Sequence, residues 1–130
     1  MIHQVINNFV AAINSHSVSD IISLMTDDHK FIDSFGIELT GKDKLNRAWT
    51  EYFRLFPDYK MVIEEILVNK NNAALIGYSY GTYSKDGKLK PENKWEVAAA
   101  WFTTVKDKKI KAWRIYADLT PIIKILQLND

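Results

Sequence analysis

The sequence predicts an α+β fold, with helices first, then an antiparallel sheet, then one closing helix. Three observations carry this. Apolar residues recur at helical spacing up to Pro57, the period changes to two from Met61, and Thr120-Pro121 opens a final apolar segment. Helices followed by a run of strands, without βαβ alternation, give helices packed on one face of a curved sheet.

Taken in order, residues 2–14 place Val5, Ile6, Phe9, Val10 and Ile13 on one helical stripe. Asn14 to Ser17 breaks it, and Ser17 or Ser19 caps a second short helix with Ile21, Ile22, Leu24 and Met25 as its apolar side. Asp27-Asp28-His29 reads as the polar turn that ends it. Phe31-Ile32-Asp33 and Ile37-Glu38-Leu39 form a small hairpin around Ser34-Phe35-Gly36. Thr40 and Asp43 fit a capping box for a third helix, which shows Leu45, Trp49, Tyr52, Phe53 and Phe56 on one face and stops at Pro57. Strands follow over 61–68, 73–83, 95–105 and 110–118, separated by polar turns, and Thr120 caps the last helix. There is no internal repeat, linker or low-complexity segment, so residues 1–130 read as a single domain.

Composition narrows the function. With 47% hydrophobic and 25% charged residues the chain is of ordinary globular type. A net charge of +1 supplies no field for nucleic acid, and the lysines gather at two hairpin ends. Without cysteine there is no disulfide frame, thiol nucleophile or thiolate metal site. No apolar run reaches the ~20 residues that span a bilayer, and His3, Gln4, Asn7 and Asn8 interrupt the start. The expectation is a cytoplasmic protein with no membrane partner. His29 among Asp27, Asp28 and Asp33 matches no metal-ligand spacing, so no metal is expected.

The last strand carries the most chemistry. Side chains alternate, so Arg114, Tyr116 and Asp118 share one face and Trp113, Ile115 and Ala117 the other. A turn at Lys106–Lys109 pairs Val105 with Ile110, Trp101 with Arg114, Ala99 with Tyr116 and Val97 with Asp118. Trp95, Val97, Ala99 and Trp101 then join Arg114, Tyr116 and Asp118 around a pocket. A bulge in the turn would shift this pairing but not the alternation within each strand.

Three stretches resemble the SnoaL-like polyketide cyclases of the nuclear transport factor 2-like superfamily. They are Phe53-Arg54-Leu55-Phe56-Pro57-Asp58, Asp28-His29-Lys30-Phe31-Ile32-Asp33, and Lys109-Ile110 through Trp113-Arg114-Ile115-Tyr116-Ala117-Asp118 with the apolar helix after it. The resemblance spans nearly the whole chain. It implies a cone-shaped α+β barrel: three N-terminal helices on a strongly curved, mainly antiparallel sheet and a short C-terminal helix. It also implies a pocket between helices and sheet, and often a homodimer through the sheet. In the cyclases an aspartate before the last helix is the acid/base for an intramolecular aldol closure, and by position it maps onto Asp118. Other superfamily members are ketosteroid isomerases, epoxide hydrolases, dehydratases and non-catalytic binding or scaffold domains. The chain departs from the cyclase pattern at Ser84 to Pro91, which borders the pocket mouth in those enzymes.

The residues and the resemblance together predict an apolar pocket for a small hydrophobic molecule, with cofactor-free acid/base chemistry next to a carbonyl. The rival is a binding or interaction module of the same fold. Asp118 is the candidate acid/base, or else it pairs with Arg114 or helps start the final helix. Arg114 is the candidate for holding an oxyanion, or an ion-pair partner for Asp118 or Glu96. Asp33 is a second candidate base, or a turn-starting aspartate. Trp49 and Phe53 on the third helix, Tyr78 on a central strand, and Trp95, Val97, Ala99, Trp101 and Tyr116 complete the predicted ligand-binding set.

Overall fold

The computed structural model describes residues 1–129. The elements are α1 (Ile2–Asn14), α2 (Val18–Ser23), β1 (Met25–Ile32), β2 (Glu38–Thr40), α3 (Lys42–Leu55), β3 (Lys60–Asn69), β4 (Asn72–Thr82), β5 (Lys94–Lys106), β6 (Lys109–Ala117) and α4 (Thr120–Leu128). A short 3-10 turn at Pro91–Asn93 precedes β5. The strands form one sheet in the order β2-β1-β6-β5-β4-β3, antiparallel except for the parallel β1–β6 contact. The α+β architecture predicted above is therefore observed. Asp130, the last residue of the predicted domain, lies outside the described residues. Among the described residues no helix is long and apolar enough to cross a membrane.

The core lies between the helices and one face of the sheet. On β5, buried Val97, Ala99, Trp101 and Thr103 alternate with less buried Glu96, Ala98, Ala100 and Phe102. The stripe of α1 meets this face, with Phe9 edge-on to Trp113 at 4.9 Å. Ile6, Phe9 and Ile13 are each 0% exposed, burial that stabilises by roughly 2 kcal/mol per side chain.

Two bulges shape the sheet. In β3 the pairing steps from Ile63↔Gly77 to Glu65↔Ile76, leaving Glu64 unpaired. A Cβ at Gly77 would sit 1.9 Å from the Val62 carbonyl oxygen, so only glycine lets the strands approach so closely. In β6 the pairing steps from Val105↔Ile110 to Thr104↔Ala112, leaving Lys111 unpaired. The predicted Val105↔Ile110 pair is present, but beyond it the register moves by one. Trp101 faces Ile115 rather than Arg114, and Ala99 faces Ala117 rather than Tyr116. The bulge lets Ile110 and Trp113, three residues apart, both point into the core.

Three local expectations are corrected. Asp27, Asp28 and His29 belong to β1 and are not a turn. Gly41, at φ +96°, takes the N-cap of α3, and no side chain caps it, so Thr40 does not close a capping box. Leu119 precedes α4, and Thr120 is its first residue with Pro121 in the first turn.

His29 pins the irregular β1–β6 junction. Its pairing runs from Met25↔Ile110 to Lys30↔Ala112, and across that gap Nδ1 of His29 donates to the Ile110 carbonyl at 2.7 Å. A carbonyl only accepts, so Nδ1 carries the proton and Nε2 is left buried without a partner beside Phe9. Burial holds the imidazole below its ordinary pKa of 6.5; the bond to Ile110 and the nearby Asp28 pull upward, and Lys42 pulls downward. The unfolded chain therefore takes up the proton more readily. This contribution is complete above about pH 6.5 and is lost progressively as pH falls from there to the lower folded-state pKa. Chemical denaturation at pH 7 and pH 5 is expected to show a loss of stability that is smaller in His29→Leu, although His29→Leu is itself destabilised by about 1–3 kcal/mol for the orphaned carbonyl. An unchanged pH response in His29→Leu would remove His29 from this role.

Candidate functional site

A cavity of about 310 Å³ lies between α3, α4 and the buried face of the sheet. Its wall is mostly apolar and aromatic. Trp49 and Tyr52 come from α3, Trp95, Val97 and Trp101 from β5, and Ile115 and Ala117 from β6. Leu119 and Ile122 add the start of α4, and Phe31, Asp33, Ser34 and Phe35 bring the end of β1 and its turn.

The wall is assembled by contacts outside it. The turn after α1 clamps the start of β3. The Asn14 side chain donates to the Met61 carbonyl and accepts from its N–H, both at 2.9 Å, and Lys60 Nζ donates to the Asn14 carbonyl. His16, stacked on Phe53 at 4.1 Å, donates through Nε2 to the Tyr59 carbonyl at 2.7 Å. Asp58 accepts from the Thr82 N–H at 2.6 Å and from its hydroxyl at 2.7 Å, tying the turn after α3 to the end of β4. These bonds fix Tyr59 between Tyr52 and Trp95, at ring separations of 5.0 and 6.1 Å.

Polar groups are few and grouped. Tyr59 and Ser79 are 4% and 5% exposed and line the cavity together. Burial pushes the Tyr59 phenol up, and Ser79 beside it pulls the other way. Tyr52 is pushed up as well, first by burial and then by Tyr59. Both phenols thus stay protonated at neutral pH and act as neutral hydrogen-bond donors. The Trp49 and Trp95 indole N–H groups and the Ser34 hydroxyl are buried without a partner. Asp33 is the carboxylate among the lining residues. Its Oδ1 accepts from the N–H groups of Phe35 at 2.9 Å and Ile37 at 3.0 Å, which fixes the turn and the carboxyl plane.

Apart from Asp118, the predicted residues separate into three sets. Trp49, Trp95, Val97, Trp101 and Asp33 line the cavity. Phe53 is buried but spent on His16, and Ala99 is buried on the same sheet face without reaching the wall. Tyr78, Arg114 and Tyr116 lie on the opposite face of the sheet. Arg114 stacks over the Tyr116 ring at 4.9 Å, and Tyr116 is 51% exposed. The one-residue bulge explains the exchange, because it brings Ile115 and Ala117 opposite Trp101 and Ala99.

Asp118 does not point into the cavity. It is exposed, and its Oδ1 accepts from the Thr120 hydroxyl at 2.6 Å and the Thr120 N–H at 3.0 Å. These bonds hold its carboxyl below the usual range, the hydroxyl first, with a smaller contribution from Lys124. It is a helix-starting residue rather than a proton carrier of the cavity. Sequence reasoning missed Tyr59 and Ser79. A signal existed for Ser79, a hydroxyl in phase with Ala73, Leu75 and Gly77 on the apolar side of β4. Tyr59, just outside the strand pattern, gave none.

The SnoaL-like domain model matches residues 6–113, most of the chain. No curated protein matches this sequence. Among solved structures, a candidate SnoaL-like polyketide cyclase from Shewanella denitrificans superposes with a TM-score of 0.83 at 12% identity, covering 98% of this chain and 97% of the other. AclR, a candidate hydroxylase from Streptomyces galilaeus, gives 0.77 at 16%, covering 97% and 96%. TerC, co-crystallised with polyporic acid, gives 0.79 at 12%, covering 97% and 98%. At these identities the likeness shows the shared fold. The chain belongs to the SnoaL-like domain family and has the nuclear transport factor 2-like fold.

Proposed function

We propose that this protein binds a small, largely apolar molecule in the cavity between α3, α4 and the sheet. The observation that carries this is the combination of volume and lining. About 310 Å³ is at the lower end of the range for pockets that take small organic ligands, and the wall is tryptophan, tyrosine and aliphatic with a few polar groups. TerC, which shares the fold, was co-crystallised with polyporic acid, in keeping with this use of the scaffold.

Cofactor-free acid/base chemistry next to a carbonyl is the reaction class that the lining supports. Asp33 would move the proton, since it is the lining carboxylate and its plane is fixed by two N–H donors. The neutral phenols stand at the other end of the cavity, so they would stabilise charge on a carbonyl oxygen conjugated with the atom that Asp33 deprotonates. A non-catalytic binding module is the alternative, favoured by the outward turn of Asp118.

A homodimer through the sheet belongs to the same proposal. The face opposite the cavity carries Ile76, Phe102 and Tyr116 at 38%, 39% and 51% exposure, and a second copy would cover them.

Two measurements test these readings. Titration with 2-ethylnaphthalene is expected to quench tryptophan emission saturably; Ala117→Phe, which fills the cavity, abolishes the quenching, and Tyr116→Ala on the far face leaves it intact. Saturable quenching that survives in a folded Ala117→Phe protein places the binding elsewhere. Sedimentation equilibrium is expected to report a dimer that dissociates in Phe102→Glu; a monomer at high concentration removes the dimer.

A further inference from the structure

Apart from the tryptophan indole N–H groups, the cavity's polar groups gather at two ends of an apolar span. Tyr59 and Ser79 stand at the β3–β4 end. Asp33 and Ser34 stand at the β1 end, on the turn toward β2. In the sheet order β1 and β4 are separated by β6 and β5, three strand-to-strand steps. That is ~14 Å along the sheet surface at ~4.8 Å per step, and less across the hollow because the side chains reach inward. The two ends are also offset along the strands. Asp33 follows the Ile32↔Arg114 pair and so stands level with Ile115, which pairs with Trp101, whereas Ser79 pairs with Val97. Between them the wall offers Trp101, Ile115, Ala117 and Val97, none of which hydrogen-bonds through its side chain at this surface except the indole.

The two ends also differ in chemical character. A tyrosine phenol beside a serine hydroxyl, both nearly fully buried, presents O–H donors to an incoming oxygen. A carboxylate whose Oδ1 is already occupied by Phe35 and Ile37 presents acceptor lone pairs. Ser79 hydrogen-bonds to the Tyr59 oxygen, so the pair still has an O–H to donate, and an apolar molecule with one acceptor at one end and one donor at the other satisfies both ends; a purely apolar one leaves that donor unmet.

We infer that the cavity selects an elongated molecule with a carbonyl oxygen at one end, received by Tyr59 beside Ser79, and a hydroxyl at the other, received by Asp33. Tyr59 and Asp33 together then decide which way round the ligand lies. This rests on the binding reading above and adds the polarity of the ligand to it.

Four probes of one skeleton test it: 2-ethylnaphthalene, 2-acetylnaphthalene, 6-ethyl-2-naphthol and 6-acetyl-2-naphthol, each titrated by tryptophan quenching against wild type, Tyr59→Phe and Asp33→Asn, with folding checked by circular dichroism. In the wild type 6-acetyl-2-naphthol is expected to bind tightest. Tyr59→Phe is expected to weaken both acetyl probes by about fivefold, the change for one ordinary hydrogen bond, and to leave the two ethyl probes unchanged. Asp33→Asn is expected to weaken only the two naphthols. Equal affinity for all four probes in the wild type, or a Tyr59→Phe loss that does not depend on the acetyl group, overturns the inference while leaving the apolar cavity standing. Failure of every probe, 2-ethylnaphthalene included, removes the binding reading and this inference with it.

Discussion

The unpaired Lys111 in β6 is the constraint on which the site depends. Ile110 and Trp113 are 0% and 1% exposed and lie three residues apart, which a regular strand cannot place on one face. One extra residue restores both to the core. Everything after the bulge follows from it. Ile115 and Ala117 turn toward the helices and become cavity wall, while Arg114 and Tyr116 turn away and stack on each other. The cavity is apolar at its centre because the bulge carries the cation and one phenol to the other side.

The polarity that remains enters from the edges. Tyr59 is held by its backbone through His16 and by the Asn14 clamp on Met61, so its ring is placed while its hydroxyl, beside Ser79, still has a proton to donate. Asp33 is held by the turn it starts. In both cases backbone bonds position a side chain whose functional atoms stay available, the arrangement that a pre-organised binding site needs. The phenylalanine-proline-aspartate end of α3 has the same supporting role. Phe56 packs edge-on against Trp95 at 5.4 Å, Pro57 follows the helix, and Asp58 locks Thr82.

Most of the fold was legible because burial imposes a period. Helical stripes in α1 and α3 and alternation in β4 and β5 mark which face is covered, and a half-buried element can hardly avoid showing it. The start of β1 was hidden for the converse reason: buried Met25 fits the apolar side of the helix before it, Asp27 and Asp28 are exposed and charged, and between residues 26 and 30 His29 alone is buried. The β6 bulge was hidden because Lys111 sits among other lysines, where one more residue changes no pattern. Of the site, Trp49, Trp95, Val97 and Trp101 were readable from their faces alone. Asp118 was misplaced because alternation ends with the strand; past Ala117 the chain turns into α4, and the nearest donors are those of Thr120. Tyr59 depends on a clamp spanning more than forty residues of chain, which no local pattern reports.

Ligand binding requires the hollow between α3, α4 and the sheet to be accessible in the folded protein. Crystals pressurised with xenon test it most directly, since xenon enters apolar space of this size without needing any polar partner. Ordered xenon enclosed by Trp49, Trp95, Ile115 and Leu119 is the predicted result. No xenon there, with the Trp95 or Trp101 ring occupying the space, would contradict it.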